Sequence, residues 1–146
     1  MSQMFVIDAK GLVAIAIIFH DKLTQSALYQ MLESPRSISD KYLTTETSIM
    51  TAFSMVADFK EPKLTDALMR VVRYFFDLAV PSFSLETKPK AQIYQVYGDF
   101  VQGHGTTVPS YVLDTCFVAK KIYPGSQIIG MHTDFYSANN ITVHPP

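Results

Sequence analysis

Residues 4–19 read MFVIDAKGLVAIAIIF, and the fold turns on them. Two apolar, largely β-branched runs, Met4 to Ile7 and Leu12 to Phe19, flank Asp8-Ala9-Lys10-Gly11. Gly11 can supply a positive φ, so the four residues read as a short loop and the runs as an N-terminal β-hairpin. The second run is apolar at nearly every position instead of alternating, as in a strand covered on both faces. A buried helical segment is the competing reading, because Ala14 and Ala16 tolerate helix.

Beyond this stretch the periodicity turns helical. Asp21 or Thr24 can cap a segment in which Leu23, Ala27, Leu28, Met31 and Leu32 recur at helical spacing, ending near Glu33 before Ser34-Pro35. Arg36 to Thr47 is polar and reads as a loop or a frayed helix start. A stripe of Ile49, Ala52, Phe53, Val56 and Phe59 predicts a helix that stops before Glu61-Pro62. Another is expected from Leu64 to about Ala79, with Leu64, Ala67, Leu68, Val71, Phe75 and Leu78 on its apolar face and Pro81 closing it. Asp66 and Arg70 stand four apart on the other face, in the favourable order.

The composition then changes. Residues 82–90 read as a connector. Ala91 to Val101, Tyr111 to Ile122 and Gln127 to Tyr136 are rich in Val, Ile, Tyr, Phe and Thr and predict three or four antiparallel strands. Pro124-Gly125 is a turn pair, and Ile141 to Val143 a short edge strand. The expected architecture is therefore a single α+β domain over 1–146, helix-rich at 21–80 and strand-rich at 91–143. It has an N-terminal hairpin and two to three helices on one face of a mostly antiparallel sheet.

Composition narrows the function. The 146 residues are 48% hydrophobic and 17% charged, with a net charge of −1. That suits a chain that buries a core and argues against disorder, a coiled coil or a disulfide scaffold. Lys88 and Lys90 interleave with Tyr94 and Tyr97, and Lys63, Arg70 and Arg73 share a helix face, but Asp66 and Asp77 interrupt them. Nucleic-acid binding is the weakest of the three readings entertained. The run Leu12 to Phe19 is far short of the ~20 residues of a membrane helix, and no signal core is recognisable at the N-terminus. The expected location is cytoplasmic or virion-associated.

Candidate chemistry is sparse. His132-Thr133-Asp134 would place an imidazole and a carboxylate on one face of a strand, as a metal site or oriented base requires. A third ligand could come from His104, in the hydroxyl-rich loop Gly103-His104-Gly105-Thr106-Thr107, from His20 or from Asp114. Asp114-Thr115-Cys116 repeats the spacing, but a lone Cys in an apolar run is usually a small buried hydrophobe. No catalytic set, metal site or cofactor is expected. Tyr94, Tyr111, Phe117 and Phe135 are the expected interface residues, because a second sheet face too apolar for water needs covering. The leading expectation is a non-enzymatic structural or assembly protein, a homo-oligomer or part of a larger complex such as a viral or phage particle. The alternatives are a small-molecule binding protein or small enzyme with a pocket near His104, His132 and Asp134, and a nucleic-acid-binding module.

Overall fold

The computed structural model describes residues 3–23, 25–33, 40–77, 90–104, 108–131 and 133–145. In chain order these form β1 (Met4–Ile7), α1 (Ala9–His20), α2 (Ala27–Glu33), β2 (Lys41–Thr44), α3 (Glu46–Asp58), α4 (Pro62–Asp77), α5 (Lys90–His104) and α6 (Ser110–Phe117). A π-helical continuation, Val118–Ile122, follows, then β3 (Gln127–Ile129), α7 (Thr133–Ala138) and β4 (Val143–His144). The strands lie in the order β2-β1-β3-β4, and every neighbouring pair is parallel.

This overturns the antiparallel α+β expectation. The described residues hold seven α-helices instead of two or three, and the sheet is wholly parallel. Parallel neighbours cannot be joined by a tight turn and need crossovers, which the helices supply. The N-terminal hairpin fails at Asp8. Its carboxylate accepts from the Gly11 N–H at 2.8 Å, and its carbonyl accepts from the Leu12 N–H at 2.9 Å. Asp8-Ala9-Lys10-Gly11 is thus a strand end, an N-cap and the first turn of α1. Gly11 serves by close approach: a Cβ there would lie 2.3 Å from the Ile129 carbonyl oxygen.

Consecutive residues of a strand face opposite sides of the sheet. Phe5, Val6 and Ile7 are all buried, as are Tyr42, Leu43 and Thr44 in β2 and Ile128 and Ile129 in β3. Both faces of these strands are therefore covered by the chain itself. Helix α1 is buried around most of its circumference, at Ala9, Leu12, Val13, Ile15, Ala16 and Ile18, and packs against α3 and α4. Its run from Leu12 to Phe19 is wholly apolar, as suits a helix that meets the end of β3 at Gly11 and packs against two other helices.

The central helices fall where the periodicity predicts. Thr45 caps α3 by accepting from the Ser48 N–H at 3.1 Å. Lys60, with φ 53°, turns the chain out of that helix. Val56, Leu64, Ala67, Leu68 and Val71 are buried, and Phe53 packs against the core. The side chain of Phe75, Leu78, Pro81 and the connector 82–89 lie outside the described residues. β2 falls in the stretch expected to be loop or frayed helix.

The second half departs furthest. Residues expected as strands form α5 and α6, and only Gln127–Ile129 of the third run is extended. Tyr97 stacks on Phe117 at 5.1 Å, and Phe100 lies 5.7 Å from the same ring, which joins α5 to α6. The Pro124-Gly125 turn forms as expected. Gly125 has φ 89°, and the Ser126 N–H donates to the Tyr123 carbonyl at 3.1 Å. The short C-terminal strand is β4, paired parallel to β3.

Two glycines in helices should respond oppositely to alanine. Gly11→Ala drives a Cβ into backbone and should cost ~1–3 kcal/mol as overpacking. Gly98, in α5 with open space around it, should gain ~0.5–1 kcal/mol from the better helix former. Leu68→Ala, at a fully buried position, should lose ~2–5 kcal/mol. Urea unfolding of the three variants measures all of these.

Candidate functional site at the carboxyl ends of the strands

A parallel sheet gathers the carboxyl ends of its strands at one edge. Here the chain leaves β1 outward to β2 and returns to place β3 on the other side of β1. The order reverses between β1 and β3, and ligands of open α/β sheets bind in the crevice outside such a switch point.

Asp8 occupies that point at the end of β1 and is fully buried. Its Oδ1 accepts from the Gly11 N–H, and its Oδ2 accepts from the Tyr136 O–H at 2.7 Å. The Asp8 N–H donates to the Ile129 carbonyl at 3.1 Å, extending the β1–β3 ladder by one residue. Gly130, after β3, makes room for the carboxylate: a Cβ there would lie 2.2 Å from Oδ2. Tyr136 comes from α7 and is itself wholly enclosed. Burial, then the charge and hydrogen bond of Asp8, push its hydroxyl far above the usual tyrosine range. Tyr111 is pushed up to about 12, by burial first and then by the Asp8 charge. Both hydroxyls keep their protons at neutral pH, and that of Tyr136 is donated to Asp8.

A second group lies where α3, α5 and α6 meet. The half-buried Asp114 carboxylate accepts from the Thr47 and Tyr97 hydroxyls. Burial, reinforced by that hydrogen bond and charge, raises Tyr97 well above its ordinary value. Beneath it, Thr45 Oγ1 donates to Ser48 Oγ at 2.9 Å, and Thr115 Oγ1 donates to the Tyr111 carbonyl at 2.7 Å. Ser48 Oγ and Thr115 Oγ1 are 3.2 Å apart. The Thr115 proton is committed to Tyr111, so Ser48 is the donor between them. These hydroxyls form one directed chain that ties α3 to α6.

The residues singled out from sequence are scattered by comparison. Asp134 is exposed in the first turn of α7, so strand spacing does not align it with residue 132. His132 and the side chain of His104, at the end of α5, lie outside the described residues, as does that of Tyr94. Tyr111 and Phe117 are 3% and 2% exposed and belong to the chain's own core. Phe135 is half-buried against that core. Cys116 is buried on α6, its thiol pushed up to about 12 by burial, so it holds no thiolate at neutral pH.

Sequence reasoning missed Asp8 and Tyr136. The available signal for Asp8 was an apolar run ending in a capping residue three before a glycine, with a long apolar run behind it. Tyr136 carried none, because its partner lies 128 residues away. Among the described residues no three His, Cys, Asp or Glu side chains gather as a metal site would need. No helix among them is long and apolar enough to cross a membrane. In comparisons with known proteins the chain matches no family model, no curated protein and no solved structure.

Tyr136→Phe removes a hydrogen bond to a buried carboxylate and should cost ~1.5–3 kcal/mol. Asp8→Ala should cost more, since it also removes the cap of α1, worth ~1 kcal/mol. Asp8→Asn keeps an acceptor for Gly11 and should fall between wild type and Asp8→Ala. Urea midpoints rank the three.

A pH effect is expected at the edge of the sheet. His144 in β4 lies against Gln127 and the Phe5 ring, and burial lowers its pKa below 6.5. The folded state therefore favours the neutral ring. This contribution to stability is complete above pH 6.5 and is lost as pH falls below it toward the folded value. His144→Gln should flatten that part of a stability-versus-pH curve.

Proposed function

We propose that this chain is a small ligand-binding α/β protein whose ligand docks at the carboxyl edge between β1 and β3. The observation that carries the reading is the coincidence of the topological switch point with a buried carboxylate and two tyrosine hydroxyls, Asp8, Tyr136 and Tyr111. The sign of the edge narrows the ligand. Asp8 ends β1, Glu46 opens α3, Asp114 stands on α6 and Asp134 on α7, with Lys10 in the first turn of α1 a cation at the same edge among the described residues. Such an edge favours a ligand that presents positive charge, either an organic ammonium or a divalent cation that in turn carries an anionic group. It opposes a bare polyanion. The usual anion position at the N-terminus of α1 is taken by Asp8 itself.

Self-association through the second half has less to recommend it. That reading drew on sparse, balanced charge, on a bare sheet face and on Tyr94, Tyr111, Phe117 and Phe135. Tyr111 and Phe117 are buried inside the chain, Phe135 packs partly on its core, and the side chain of Tyr94 lies outside the described residues.

Thermal unfolding in the presence of spermidine, MgCl2, MnCl2, and ATP with and without Mg2+ tests the proposal. At ~100 times its Kd a bound probe adds ~2.7 kcal/mol, a rise of several degrees for a domain of this size. At least one cationic probe should raise Tm. Asp134→Asn, at an exposed position, should reduce that rise, whereas Asp58→Asn, at the end of α3 on the opposite edge of the sheet, should not. No shift at millimolar concentration from any cationic probe, or an equal loss in both variants, would overturn the reading.

A further inference from the structure

We draw no further inference here: the strongest candidate, the Asp114 carboxylate held by Thr47 and Tyr97 where α3, α5 and α6 meet, belongs to the acidic edge already described, and nothing in the structure points to a ligand of its own.

Discussion

The carboxylate of Asp8 is the interaction on which the rest of the structure depends. It ends β1, starts α1 by holding the Gly11 N–H, and receives the Tyr136 hydroxyl from α7. Two adjacent elements and a helix 128 residues away are thereby fixed to one point. Around it the chain removes side chains where they would intrude. Gly11 lets α1 approach the backbone of β3, and Gly130 lets the carboxylate sit against the end of that strand. A buried carboxyl group of this kind is tolerated only when hydrogen bonds offset its desolvation, and both oxygens here accept at least one.

From that junction the parallel sheet follows. Once α1 begins immediately after β1, a tight hairpin is excluded and the chain has the crossover that a parallel neighbour requires; β2 runs in the same direction as β1. The same logic applies to β3, reached through α3 to α6, and to β4, reached through α7. The central strands are short, at four and three residues, yet almost every side chain on them is buried. Helices on both sides, more than strand length, hold them in place.

The legible parts of the sequence were those with contrast between faces. Helices α3 and α4 carry an apolar stripe against exposed Arg70 and Arg73, and their extents were readable to within a few residues. Contrast fails where an element is enclosed. In α6 most positions are buried, Tyr111, Val112, Leu113, Thr115, Cys116 and Phe117, and in α1 the residues from Leu12 to Phe19 are all apolar whether buried or not, so a 3.6-residue rhythm has little to alternate with. The β-branched and aromatic content then tips the reading to strand, because propensity is weaker than tertiary context. In α5 the rhythm was present: Tyr97, Phe100 and Val101 are spaced as a helix face and all meet the core. Composition outweighed it. Gly11 was recognised as structurally special but for the wrong reason, since close approach and positive φ leave the same letter in the sequence.

The chain itself offers a control for what Asp8 is for. Helix α3 follows β2 as α1 follows β1, and its cap is Thr45, whose hydroxyl accepts from Ser48 N–H as the carboxylate of Asp8 accepts from Gly11 N–H. A hydroxyl is thus enough to start a helix at the carboxyl edge of this sheet, but its single oxygen cannot stand in for both Oδ1, which takes the Gly11 N–H, and Oδ2, which takes the Tyr136 O–H. Burying a carboxyl group costs desolvation that a Ser or Thr would avoid. Capping accounts for one acceptor oxygen at this position, and the bond from Tyr136 for the second. At the topological switch point this one carboxyl group therefore joins β1, α1 and α7, and it is the group on which the binding proposal rests.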